Sequence, residues 1–232
     1  SDRNDRRQAH LALFRLDPAT AKLSSLGRVA VGSGEAYGVC ISSSQSTPQT
    51  LTVDIVMKDG SVVTGHLTPP PSGKPTFTPL ASYKIATQSE GCVYDGDIKF
   101  VGEETAGIWQ FPPRAEPRLV AKVDNQQLVA DVEGLATIRH GDTNYLIASS
   151  QGDNAYAVYR LPDVSYVGRF RIADGPHIDG TSETDGIEAM EGDFGPDFPE
   201  GLFIAQDGNN LPEAQNFKLV SWKAIREALG IE

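Results

Sequence analysis

Apolar residues in this chain fall into short runs broken by glycine, proline and acidic residues. His10-Leu11-Ala12-Leu13-Phe14-Arg15-Leu16, Tyr145-Leu146-Ile147-Ala148 and Gly201-Leu202-Phe203-Ile204-Ala205 have the length and composition of strands. The 23 glycines and 15 prolines are scattered between the runs, as befits many strands joined by tight turns. One segment departs from this pattern. Trp222 to Leu229, with Ser221 in the N-cap position and Gly230 after it, is predicted as a short helix.

The runs repeat. Glu90-Gly91-Cys92-Val93 is followed by Lys99-Phe100-Val101-Gly102 and then by Gly107-Ile108-Trp109-Gln110-Phe111. Glu133-Gly134-Leu135-Ala136 leads in the same way to Tyr145-Leu146-Ile147-Ala148 and Ala157-Val158-Tyr159-Arg160-Leu161. Asp185-Gly186-Ile187-Glu188 leads to Leu202-Phe203-Ile204-Ala205 and Phe217-Lys218-Leu219-Val220. The acid-Gly pairs lie 43 and 52 residues apart, and a weaker copy opens at Glu35-Ala36-Tyr37-Gly38. Fourth-strand candidates fill the gaps at Tyr83 to Ala86, Arg118 to Ala121 and Tyr166 to Arg171.

A period of roughly 40–50 residues with three or four short strands per unit predicts an all-β fold, a β-propeller. A β-sandwich also takes many short strands, but it does not explain an acid-Gly pair at the same place in each unit. The expected organisation is one propeller domain over residues 1–232. It has a partial blade in 1–30, further blades in 31–222 and the helix at 222–229. At roughly 45 residues per blade the length supplies about five blades, the first cut inside its strands. The expectation is therefore an N-terminally incomplete propeller.

Innermost strands line the channel of a propeller, so residues at the same end of each converge on one mouth. Here these are Glu35, Glu90, Glu133 and Asp185, with Asp131 two residues before Glu133 and the Glu103-Glu104 doublet nearby. Carboxylates crowded together either hold protons or bind hard cations. An all-oxygen donor set without clustered histidines points to calcium rather than zinc. The plainer reading is that each acid simply turns its own strand, since acid-Gly is a common turn pair.

Charge sharpens the picture. Lys plus Arg number 20 against 31 for Asp plus Glu, a net charge of −11. Such a chain repels nucleic acid, and repels phosphorylated ligands unless a cation intervenes. No apolar run approaches the length of a membrane span, and no leader-like segment opens the chain. Cys40 and Cys92 read either as two buried free thiols or as one disulfide of an oxidising compartment. No nucleophile elbow, phosphate loop, zinc helix or EF-hand spacing is present, and His10, His66, His140 and His177 share no motif.

Longer stretches carry a family resemblance. They include Ser89-Glu90-Gly91-Cys92, Gly102-Glu103-Glu104 with Gly107-Ile108-Trp109, Asp131-Val132-Glu133-Gly134-Leu135 and Ala148-Ser149-Ser150-Gln151-Gly152. Asp179-Gly180-Thr181-Ser182-Glu183-Thr184-Asp185-Gly186-Ile187, Gly201-Leu202-Phe203-Ile204-Ala205-Gln206-Asp207-Gly208 and Asn216-Phe217-Lys218 continue them. In this order they resemble the alkaline, calcium-dependent β-propeller phytases.

The resemblance implies a six-bladed propeller whose first blade is missing from this chain. It implies Ca2+ at an acidic mouth, held by Glu90, Glu104, Asp131 and Glu133. It implies Tyr37, Lys58 and Arg3 as residues that bind the substrate phosphate and take part in catalysis with Glu90 and Glu133. A separate structural calcium site is expected at Asp179 with Asn210, where Asn209 replaces a glutamate common in the family. The implied reaction is a 3-phytase reaction. A metal-activated water attacks a phosphate monoester of myo-inositol hexakisphosphate, and inorganic phosphate and lower inositol phosphates leave without a phosphoenzyme. The expected substrate is phytate as its calcium complex, met by a secreted or periplasmic monomer that needs neither nucleic acid nor membrane. Two other readings stand beside it: a non-catalytic or truncated calcium-binding propeller, and a lactonase-type calcium propeller.

Overall fold

The computed structural model describes residues 1–69 and 73–232. Its strands form five antiparallel sheets in chain order. β1 (Gln8–Asp17) and β2 (Lys22–Ser33) form a long hairpin. β3 (Ala36–Ser42), β4 (Leu51–Met57), β5 (Ser61–Thr68) and β6 (Thr76–Lys84) form the second sheet. β7 (Ser89–Asp95), β8 (Ile98–Glu103), β9 (Gly107–Phe111) and β10 (Arg118–Lys122) form the third. β11 (Val132–His140), β12 (Thr143–Ser150), β13 (Ala155–Arg160) and β14 (Ser165–Phe170) form the fourth. β15 (Ile187–Met190), β16 (Leu202–Asp207) and β17 (Asn216–Ser221) form the fifth, followed by the helix α1 (Trp222–Leu229).

Every strand pairs with its chain neighbour, so each sheet is a meander. The leading strands then meet one another, β3 beside β7, β7 beside β11 and β11 beside β15. This is the blade arrangement of a β-propeller, with the leading strands innermost.

The strand patterns follow from it. A middle strand is covered on both faces by neighbouring blades, so it reads as a continuous apolar run rather than an alternation. In β12, Leu146 and Ala148 pack toward the third sheet while Tyr145 and Ile147 pack toward the fifth. Four core clusters fill the four gaps between successive sheets. Burying a side chain such as Phe100 or Phe203 contributes on the order of 1.5–3 kcal/mol.

The predicted helix is present, with Gly230 left-handed at its end (φ 66°) and its N–H turned back onto the last helical carbonyls. Ser221 holds the N-cap position, but its hydroxyl makes no capping bond. The fully buried indole of Trp222 anchors that end instead. Two boundaries differ from the sequence reading. β2 continues to Ser33, past residue 30. The strand expected over Tyr83 to Ala86 is longer and earlier, ending at Lys84, because Ile85 turns into the core.

Candidate metal centre and its cationic rim

Glu90-Gly91 and Glu133-Gly134 sit in bulges, as does Tyr37-Gly38 in β3. In β3 the register breaks between Ala36 and Val39, in β7 between Ser89 and Cys92, and in β11 between Val132 and Leu135. A bulge re-aims the side chain it carries. The glycine after each one is needed because the inner strands close in on each other there. A Cβ on Gly38 would meet the Glu90 carbonyl, one on Gly91 the Glu133 carbonyl, and one on Gly134 the Asp185 carbonyl.

This series corrects the phase read from the sequence. The residue ahead of Gly38 is Tyr37, so Tyr37 is the counterpart of Glu90, Glu133 and Asp185. Glu35 stands two residues earlier, just before β3, where Arg3 holds it at 2.7 Å and Arg6 lies at 3.7 Å. The hydrogen bonds from Arg3 lower its pKa.

The structure brings Glu90, Glu104 and Glu133 together, with one carboxylate oxygen from each within 4.8 Å of the others. Glu90 comes from β7, Glu133 from β11, and Glu104 from the turn after β8. The Gln88 amide donates to both Glu104 and Glu90, the latter at 3.1 Å. Glu133 is 5% exposed, and its Oε2 has no hydrogen-bond partner. Burial first, and then the negative charge of Glu90, push the Glu133 pKa far up. The same causes push Glu104 up to about 7. Three carboxyls crowded this closely, one of them buried with an orphan oxygen, fit a hard cation: its charge would remove the repulsion and fill the empty coordination.

Asp131 lies just ahead of β11 and outside this trio, near enough for its charge to raise Glu104. The bulge at Glu133 breaks the simple two-residue alternation that pairs the two acids in the sequence. Glu103 is a correction: it does not reach the mouth. It is buried and accepts hydrogen bonds from the Thr87 N–H (2.9 Å), the Thr87 hydroxyl (2.6 Å) and the Trp109 indole (2.8 Å). Asp185 is the open member of the ring and accepts from the Gln151 amide at 2.7 Å. Gln88 and Gln151 carry no signal in the sequence, since their roles arise between strands.

Beside the acids stands a cationic rim. The Arg3 guanidinium stacks on the Tyr37 ring, 3.9 Å from its centroid, and the Lys58 ammonium lies 5.5 Å from the same centroid. Hydrogen bonding to Tyr37 raises the Lys58 pKa. Arg3 spends Nε and Nη2 on Glu35, at 3.1 and 2.7 Å. Arg3, Tyr37, Glu90, Cys92 and Asp185 line a cavity of about 360 Å³ that Lys58, Glu104 and Glu133 do not line. Cys40 and Cys92 are joined in a disulfide with Cα atoms 5.6 Å apart, which decides between the two readings of these cysteines.

Asp179 and Asn210 are engaged separately. Asp179 pairs with Lys218 at 2.7 Å, and Lys218 also reaches the buried Asp207 at 3.1 Å. The Asn210 amide donates to the Ala214 carbonyl at 2.7 Å.

The chain resembles known proteins along its whole length. The family model described as Phytase matches residues 1–232. The 3-phytase of Bacillus subtilis (strain 168) is 35% identical over 239 residues, covering 95% of this chain and 62% of that protein. The chain thus spans less than two thirds of the length of that relative. Two solved structures share the fold at low identity. BBS1N in complex with ARL6DN aligns with a TM-score of 0.53 at 13% identity, over 92% of this chain and 59% of that one. A chain of the mitotic checkpoint complex aligns with a TM-score of 0.51 at 11% identity, over 93% of this chain and 58% of that one. With its full length matched by one family model and more than a third of its residues shared with a curated member, this chain belongs to the phytase family.

Proposed function

We propose that this chain carries the centre of a calcium-dependent 3-phytase, acting on the phosphate monoesters of myo-inositol hexakisphosphate. The observation that carries the reading is the juxtaposition at the mouth. The Glu90, Glu104 and Glu133 trio, with its orphan buried oxygen, faces the Arg3, Tyr37 and Lys58 rim on the neighbouring blade. A site for cations alone needs no such rim, and a site for anions alone would not bury Glu133.

In this reading Glu90, Glu104 and Glu133 hold the cation, and Asp131 adds negative charge beside Glu104. When bound, calcium neutralises the ester phosphate and makes a water molecule more acidic. Lys58, and Arg3 through its remaining Nη1, donate charge-assisted hydrogen bonds to phosphoryl oxygens, where charge builds as the water oxygen bonds to phosphorus and the P–O bond to the inositol breaks. The Tyr37 ring lies under Arg3 and near Lys58, so its hydroxyl is set to orient a substrate oxygen. The proton that the attacking water loses ends on the inositol oxygen as it leaves, and inorganic phosphate is released. No side chain forms a bond to phosphorus. The disulfide supports an oxidising, extracytoplasmic setting.

The test is phosphate release from phytate by the full-length protein, in calcium and in excess EGTA. Calcium-dependent release that EGTA abolishes is the expected result. Release that persists in EGTA would sink the calcium reading. Calcium binding without any release would leave a docking propeller.

A further inference from the structure

We infer that the Cys40–Cys92 disulfide is a positioning element of this centre, setting the gap between its phosphate-binding side and its cation-binding side. The inference rests on the function proposed above and adds to it what holds the two halves in register.

The two sides belong to different blades. Tyr37 sits on β3 and Lys58 just after β4, and Arg3 docks on that blade by stacking on Tyr37. Glu90, Glu104 and Glu133 belong to the blades beyond, on β7, after β8 and on β11. β3 and β7 lie in separate sheets, so no ladder of backbone hydrogen bonds sets their separation.

The junctions within the acidic half are tied by backbone. The Val132 N–H donates to the Glu104 carbonyl at 3.0 Å, and the Gly134 N–H to the Asp185 carbonyl at 2.8 Å. Among the described residues, no backbone-to-backbone hydrogen bond crosses from β3 to β7. That junction carries the disulfide instead, three residues from Tyr37 and two from Glu90. Cys92 itself lines the cavity with Tyr37 and Glu90. The other side-chain ties across this junction run mainly through the next strands outward, and Asp54 pairs in register with Cys40. Asp54 of β4 accepts from Tyr94 and from Lys99, each at 2.5 Å, and Ser44 donates to Asp97 at 2.5 Å. Between β3 and β7 themselves, then, the disulfide is the link that holds the rim against the acids, and Gly38 lets the strands come close enough for it.

The arrangement makes a divided prediction. The cation ligands all lie on one side of the disulfide, so losing it leaves cation affinity intact. Phosphate binding uses both sides at once, so the same loss weakens it. A disulfide that merely stabilises the fold would lower the melting temperature and leave KM alone.

The experiment compares the full-length wild-type protein with its C40S/C92S variant. It measures calcium affinity by titration calorimetry, KM and kcat for phytate in saturating calcium, and melting temperature. The expected result is unchanged calcium affinity with KM raised roughly tenfold to a hundredfold, the scale of a misplacement of about 1 Å. Wild-type protein reduced with dithiothreitol, with both thiols counted by mass, is the second arm: it loses the disulfide without the serines and should show the same raised KM with unchanged calcium affinity. An unchanged KM with a lowered melting temperature would overturn the proposal alone, as would joint loss of KM and calcium affinity in a folded protein. A wild-type protein without calcium-dependent turnover would overturn the function on which it rests.

Discussion

Tyr37 occupies on β3 the place that Glu90 occupies on β7. Each sits in a bulge, each precedes a glycine, and each of those glycines packs on the carbonyl of the next blade's acid. One blade therefore supplies a phenol where the others supply carboxylates, and the phenol attracts two cations, Arg3 and Lys58. A single change of side chain at a repeated position turns one sector of an acidic ring into an anion-binding rim.

Tyr37→Phe keeps the ring under Arg3 and removes the hydroxyl proposed to bond a phosphoryl oxygen of the substrate. A hydrogen bond to a charged group is worth about 1.5–3 kcal/mol, so kcat/KM for phytate should fall roughly tenfold to a hundredfold. Circular dichroism should show the fold unchanged. Wild-type kinetics in this variant would remove Tyr37 from the substrate site.

Glu133→Gln should separate folding from cation binding. The amide keeps the shape and relieves a buried, repelled carboxyl. Without cation the melting temperature should hold or rise, by about 2–4 °C for each kcal/mol gained. Calcium affinity should fall roughly tenfold or more, because the site loses a charged ligand. Undiminished affinity in calorimetry would place the cation elsewhere.

The cluster also sets a pH dependence. Glu104 and Glu133 titrate above the ordinary carboxylate range, Glu104 at about 7. Between that range and about pH 7 the folded protein binds more protons than the unfolded chain, so cation-free stability falls as pH rises. Glu35, whose pKa is lowered, keeps its stabilising effect throughout this window and loses it only as pH falls below the ordinary carboxylate range. Calcium replaces the protons, so it should raise the melting temperature more at about pH 8 than at about pH 5. Equal gains at both would mean that the carboxyls are not in the cation site.

Gly91→Ala tests the close approach of the inner strands. The added methyl would run into the Glu133 carbonyl and the Leu135 N–H, both backbone, so the strands must part. Overpacking of this kind costs about 1–3 kcal/mol or more. Gly32→Ala, where nothing lies within 4 Å of the new methyl, should stay within about 0.5 kcal/mol of wild type. Chemical denaturation measures both, and equal stabilities would contradict the glycine series.

Buried side chains of Asp54 and Lys99 clamp the second and third sheets at 2.5 Å. Lys99→Met leaves the Asp54 carboxylate without its cation in a site where it is 0% exposed. The expected loss is about 3–5 kcal/mol in denaturant titration. A loss below about 1 kcal/mol would show that Tyr94 and Thr64 alone satisfy the carboxylate.

The sequence by itself determined the strands, their grouping into repeats and the terminal helix, and it singled out Glu90 and Glu133 as candidates. These are local properties, written in runs of side chains and in a motif that recurs at each inner strand. Only the tertiary structure decided that Tyr37 rather than Glu35 is in phase with the acids, because a bulge shifts which residue faces the mouth. Only it turned Glu103 inward to Thr87 and Trp109 while leaving Glu104 with the cluster, since the alternation ends where β8 ends. It also paired Cys40 with Cys92 and gave Asp179 to Lys218. Each of those outcomes is a contact between residues distant in the chain, set by how blade packs against blade or strand against strand, and local spacing does not encode it.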